Sequence, residues 1–244
     1  MRTAIRLPPS PWTPARPSGY NTVMKLVGVT TVVFDFDGTL ATCPYDFQKM
    51  RRAILAAVAE HGIDLTQVAN LGLLETVEAG VTLLGEDQLR SAAFRNDAMA
   101  RLSAIEMEAA VHTRLLPGAV NALARLRDAG YKLGIVTRNS ATAVQLIIGD
   151  APLHFDAMLC REDVRTPKPH PEHVLQMLRL LESAPELALM VGDHPMDIEM
   201  GQAAGMRTVA VPTGQSSRET LRAARPDLLV DDVVALAGML VDGG

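Results

Sequence analysis

The 244-residue chain has only two cysteines, Cys43 and Cys160, far apart and in no CxxC spacing. That excludes a disulfide framework or a cysteine-built zinc cage as the organising device, and it makes a reducing, cytoplasmic setting the simpler expectation. Aromatic residues are sparse as well: five Phe, three Tyr and the lone Trp12, few platforms for stacking unpaired bases. Positive charge is in deficit, 23 Lys and Arg against 28 Asp and Glu for a formal net charge of -5. That is the wrong sign for a protein whose main partner is a polyanion, so nucleic acid is disfavoured. Long apolar runs are missing too. The longest strongly apolar stretch, about 26–34, falls well short of the roughly 20 residues that span a bilayer, so no membrane partner is expected. What remains is 48% hydrophobic and 21% charged, enough to bury a full core and read as a soluble globular protein. Oligomeric state is not encoded in any of these features.

Residues 1–22 hold five of the fifteen prolines, three arginines and no acid. Proline at this density breaks both helix and central strand and spoils the amphipathic helix of a transit peptide. A disordered N-terminal extension is expected there. After Met24, short β-branched apolar runs alternate with helical segments, the pattern of a parallel sheet with crossover helices. Strands are expected at 29–35, 131–136, 157–160, 187–192, 207–211 and 228–230, and helices at 118–129, 141–149, 171–181 and 195–204. The fold class is α/β.

One interval breaks the rhythm. From Asp37 to Thr137 the chain runs 100 residues, whereas a βαβ unit needs only about 30 or somewhat more. The surplus, 43–112, is itself helical in pattern. Phe47, Met50, Ile54, Leu55 and Val58 recur at helix spacing behind Asp46 as N-cap, and 86–114 reads as a long helix. A helical insert after the first strand is expected, with the α/β core split into 23–42 and 113–244.

Four strand ends carry polar chemistry. In Val32-Val33-Phe34-Asp35-Phe36-Asp37-Gly38-Thr39-Leu40 an apolar strand ends in two carboxylates two positions apart, with Gly38 permitting a sharp turn. Two anions at one strand tip call for a cation, and oxygen ligation of this kind suits Mg²⁺. The next signals are Thr137-Arg138-Asn139 after a second apolar strand, Lys168 held between Pro167 and Pro169, and Gly192-Asp193 with Asp197 after a fourth strand. Taken singly, each has an ordinary alternative: solvated loop acids, Thr137 as a helix N-cap, a solvated lysine, or Asp193 and Asp197 as helix caps. Their conjunction is harder to set aside, because ligands of open parallel sheets bind at the carboxyl ends of the strands.

With these residues in order, the chain over about 29–241 resembles haloacid dehalogenase superfamily hydrolases of the phosphatase type, similar to phosphoglycolate phosphatases. Asp35-Phe36-Asp37-Gly38-Thr39-Leu40 matches the first motif, Thr137 the second, Lys168 the third, and Gly192-Asp193 with Asp197 the fourth. The resemblance implies a Rossmann-like three-layer sandwich with a parallel sheet, and 43–112 as a helical cap inserted after the first strand. It implies Asp35 as nucleophile forming an aspartyl-phosphate and Asp37 as acid and base. Mg²⁺ is then held by Asp35, the Asp37 backbone carbonyl, Asp193 and Asp197. Thr137 and Lys168 bind the phosphoryl oxygens, and Gly38, Arg138 and Asn139 are the candidate substrate-binding residues of the same loops. A small phosphorylated metabolite is the implied substrate. An acid at position 37 favours a phosphatase over halide displacement from carbon, which needs no proton donor there. A sugar-phosphate mutase similar to β-phosphoglucomutase is the alternative, for which His61, Arg90 and Arg95 of the insert are the residues to locate. A non-catalytic phosphate-binding protein comes third. The family pattern lapses after Leu40, where Ala41-Thr42-Cys43-Pro44-Tyr45-Asp46-Phe47 replaces the usual Asp-Ser lead into the cap.

Overall fold

The computed structural model describes residues 26–243; the Pro-rich stretch 1–22, with Trp12, lies outside them. Six parallel strands form one sheet: β1 (Thr31–Phe34), β2 (Lys132–Val136), β3 (Ala157–Leu159), β4 (Ala188–Gly192), β5 (Arg207–Ala210) and β6 (Leu228–Leu229), in the order β3-β2-β1-β4-β5-β6. All six coincide with the strands expected from sequence, within two residues at each end. Strand β1 is central, in register with β2 through Val32 and Leu133 and with β4 through Val32 and Leu189.

Being buried on both faces, the central strands are apolar throughout. Val32 and Phe34 of β1 and Leu189 and Val191 of β4 pack into one core. Val33 and Met190, pointing the other way, pack into a second. The first core is closed by α4 (Ala119–Asp128), α5 (Ala141–Ile148) and α9 (Val233–Asp242), the second by α6 (Glu172–Leu180) and α7 (Pro195–Ala203). The result is a three-layer α/β sandwich. A short helix, α8 (Arg218–Ala223), buries Leu221 against Ile198 and Ala210. The helices expected at 118–129, 141–149, 171–181 and 195–204 match α4 to α7; α8 and α9 went unread in the sequence.

Between β1 and α4 lie three further helices, α1 (Phe47–Glu60), α2 (Leu73–Leu84) and α3 (Gln88–Ala110). Asp46 caps α1 by accepting from the Lys49 amide at 2.8 Å, as its sequence position suggests. These helices share a hydrophobic cluster of their own, with Met50, Ile54 and Val58 of α1 against Val77 of α2 and Phe94, Ala98 and Leu102 of α3. The outgoing and returning chain run side by side below them. Thr42 N–H donates to the Arg114 carbonyl at 2.8 Å and Leu116 N–H to the Leu40 carbonyl at 2.8 Å. Among the described residues, no helix is long and apolar enough to cross a membrane.

Candidate active site

Strand β1 delivers Asp35 and Asp37 to the carboxyl edge of the sheet. The Asp35 amide still pairs with the Val191 carbonyl at 2.8 Å, so extension persists one residue past the strand. Phe36 then turns into the core while Asp35 and Asp37 face a common cavity. A tight turn follows, in which Phe36 O accepts from the amides of Leu40 and Ala41 and Gly38 N–H donates to Ala41 O. Gly38 has φ 87°, where side chains are strained. A Cβ there would stand 2.5 Å from Asp193 Oδ2, and one on Gly214 1.8 Å from the same oxygen. The two glycines thus form a cradle that only the Asp193 carboxylate fills.

Asp35 and Asp37 differ in their surroundings. Asp35 takes the Lys168 ammonium on Oδ1, and Lys168 also donates to Asp197 Oδ1 at 2.8 Å. Thr39 Oγ1 lies 3.4 Å from Asp35 Oδ2 and 3.3 Å from Asp193 Oδ1. Asp37 instead accepts from Tyr45 Oη at 2.9 Å, Thr137 Oγ1 at 3.2 Å and Asn139 Nδ2 at 3.2 Å. Burial raises the pKa of both acids; the Lys168 charge opposes this at Asp35, and the three hydrogen bonds oppose it at Asp37. Lys168 stays charged despite burial because Asp197 and Asp35 hold its proton.

The ordinary alternatives can now be judged. Thr137 caps no helix; Ser140 caps α5. Lys168 is 4% exposed, not solvated. Asp197 does serve α7, accepting from the His194 amide at 3.1 Å, while its other oxygen meets Lys168. The prolines flanking Lys168 end in a cis Lys168–Pro169 bond, and the Lys168 amide donates to His173 Nδ1 at 3.2 Å. Strand ends thus bring Asp35, Asp37, Thr137, Asn139, Lys168, Asp193 and Asp197 together. Arg138 reaches the cavity too, but its guanidinium donates to Glu75 of α2 at 3.0 Å and approaches Met196 Sδ at 3.6 Å.

Asp35, Asp193 and Asp197 offer carboxylate oxygens within 4.8 Å of one another, all three buried. Three buried carboxylates against one ammonium leave negative charge uncompensated, and burial together with mutual repulsion raises the pKa of Asp193. An all-oxygen, anionic donor set of this kind fits a hard divalent cation.

Three positions in or beside the cavity escaped the sequence reading. Tyr45 lies in the stretch where the family pattern lapses, and its hydroxyl also accepts from Asn139 Nδ2 at 2.6 Å. Glu106 of α3 and Arg161, after β3, form an ion pair with side chains 6% and 3% exposed. Arg161 also donates to Ser103 Oγ at 2.8 Å and to the Arg138 carbonyl at 3.3 Å. No local signal marks that pair, since its partners are 55 residues apart. Conversely, His61, Arg90 and Arg95 do not line the cavity. They are occupied with Asp97, the His61 carbonyl and Glu78 respectively.

A parallel sheet whose central strand ends in Asp35 and Asp37, with a helical insert over it, defines a class of hydrolase fold. The chain belongs to the haloacid dehalogenase-like hydrolase family, whose model matches residues 32–211. It is 40% identical over 119 residues to pyrophosphatase PpaX of Bacillus cereus, a stretch covering 48% of this chain and 55% of that protein. The chain thus spans about half the length of the curated relatives it matches. Among solved structures it resembles a predicted phosphoglycolate phosphatase from Haemophilus somnus, with TM-score 0.59 and 21% identity over 86% of this chain and 97% of that one. It also resembles CbbY from Rhodobacter sphaeroides in complex with phosphate, with TM-score 0.58 and 24% identity over 85% and 96%. At these identities the structural likeness carries the fold.

Proposed function

We propose that the chain is a Mg²⁺-dependent phosphomonoester hydrolase, acting on a small phosphorylated metabolite through an aspartyl-phosphate on Asp35. The observation that carries this reading is the division of labour between the two acids: Asp35 is fixed by a lysine, Asp37 by three neutral donors. An Asp35 oxygen attacks phosphorus, the bond from phosphorus to the ester oxygen breaks, and the departing alkoxide takes a proton from Asp37. Burial favours the protonated form of Asp37 that this step needs. Water then attacks the aspartyl-phosphate and gives its proton to Asp37, releasing phosphate and restoring Asp35. Lys168 and the Thr137 hydroxyl stand where charge on the phosphoryl oxygens grows, and donors so placed stabilise the transition state. Asp35, Asp193 and Asp197, with the Asp37 carbonyl, would hold Mg²⁺, which when bound neutralises charge so that one anion can approach another.

The match to a curated pyrophosphatase and the likeness to a predicted phosphoglycolate phosphatase agree with phosphoryl chemistry. The free cysteines Cys43 and Cys160 agree with a cytoplasmic setting. The test is phosphate release from p-nitrophenyl phosphate in the presence of Mg²⁺. Turnover is expected, and Asp35→Asn should lower kcat by at least about a thousandfold, the scale of losing a nucleophile. Undiminished turnover in that variant would reject Asp35 as nucleophile.

A further inference from the structure

We propose that the alcohol half of the substrate is neutral and largely apolar, at least as large as a six-carbon group, and not a second phosphate or a carboxylate. The inference rests on the hydrolase reading above and names the substrate class of that site. The cavity over Asp35 measures about 740 Å³, inside the roughly 300–1,000 Å³ range that holds drug-sized ligands and far beyond the needs of a two-carbon ester. The insert lines it mainly with apolar side chains, Phe47 and Met50 of α1, Leu73 and Leu74 of α2 and Leu102 of α3, while Gln215, Ser216, Ser217 and Thr220 line it from the core.

Among the described residues, the two permanently cationic side chains that reach the cavity already have partners. Lys168 is held by Asp35 and Asp197, and Arg138 by Glu75. Glu106, the acid of α3 at the cavity, is neutralised by Arg161. His194 spends Nδ1 on the Met196 amide at 3.2 Å. An anionic leaving group would therefore meet no unpaired cationic side chain among the described residues of the lining, so its loss of water would go uncompensated there. An apolar one would gain about fourfold in affinity for each methylene buried.

The test uses the full chain with Mg²⁺ and esters of similar alkyl leaving groups. Hexyl phosphate is expected to exceed ethyl phosphate in kcat/KM by tenfold or more, mainly through KM, with 2-phosphoglycolate and pyrophosphate below ethyl phosphate. Leu73→Lys, a change at the half-buried start of α2, should erase the hexyl preference and raise kcat/KM for 2-phosphoglycolate. Higher kcat/KM for either anion than for hexyl phosphate in the unaltered chain, or an unchanged ratio in Leu73→Lys, overturns the inference while leaving the hydrolase reading intact. Calorimetric binding of hexylphosphonate against phosphonoacetate reads the same wall without turnover. Tenfold tighter hexylphosphonate binding in a protein that hydrolyses none of the esters would reject the hydrolase reading and keep the wall assignment; equal binding would reject the wall assignment.

Discussion

The floor and the ceiling of the cavity are built on opposite rules. The floor, at the ends of β1, β2 and β4, concentrates buried charge: Asp35, Asp193 and Asp197 around one lysine, with Asp37 tied to three donors. The ceiling, on α1, α2 and α3, faces the floor with Phe47, Met50 and Leu102, and two of its acids, Glu75 and Glu106, are each matched to an arginine of the sheet side. Uncompensated charge in a low-dielectric site is costly to maintain and strongly reactive towards ions. A wall of dispersion contacts is inexpensive and tolerant of exchange. On the reading proposed above, the difference separates chemistry from selectivity: the reaction would belong to the sheet, and the choice of leaving group to the helices above it.

Breaking the floor is expected to have the largest effect. Asp37→Asn keeps the shape of the side chain but removes the proton donor, and kcat should fall about 10²–10⁴-fold. The loss should be larger for alkyl phosphates than for p-nitrophenyl phosphate, whose phenolate leaves without help. A loss equal for both would contradict the acid role.

The seam between floor and ceiling comes next. Removing one partner of a buried pair strands the other charge, so Glu106→Ala should cost about 3–5 kcal/mol of stability. Glu75→Ala, whose pair with Arg138 is 41% exposed on the Glu75 side, should cost less than about 1 kcal/mol. Denaturant titration of both variants measures the contrast; equal losses would show that burial does not separate the two pairs.

A pH dependence tests the support of the floor. His173 accepts from the Lys168 amide through Nδ1 and faces the Leu159 carbonyl with Nε2 at 3.2 Å, an arrangement that fixes the neutral tautomer protonated on Nε2. Burial, then the Lys168 charge, pushes its pKa from 6.5 down to about 4. As pH falls, the unfolded chain takes up this proton first, so the stability His173 contributes is complete above pH 6.5 and drains away towards about pH 4. The slope from one proton is at most about 1.4 kcal/mol per pH unit. His173→Gln should flatten the stability curve in that window, and an unaltered slope would show that His173 is not its source.

The floor was largely legible in the sequence because a parallel sheet converts order along the chain into proximity: each functional residue follows a strand that its apolar run announces. Asp35, Lys168, Asp193 and Asp197 could be read one strand end at a time. The ceiling was not legible in that way. Helix α2 escaped because it starts behind Gly72 with no side chain to cap it, so the usual signal of a helix start is missing. The partnership of Glu106 with Arg161 depends on how α3 lies over the loop after β3, which no local pattern encodes. Tyr45 stood in plain view, but its value depends on a turn that swings residue 45 back over Asp37, a tertiary fact.

The paired segments at Thr42 and Arg114 have a bearing on how such a protein can be altered. Because the outgoing and returning chain are hydrogen-bonded neighbours, the sheet sees everything between them as a loop already closed at its base. Closure entropy grows only slowly with loop length, so helices of another origin can be grafted at these two points at little cost to the strands below. What a graft would have to supply again is short: a phenol over Asp37 and a carboxylate for Arg161.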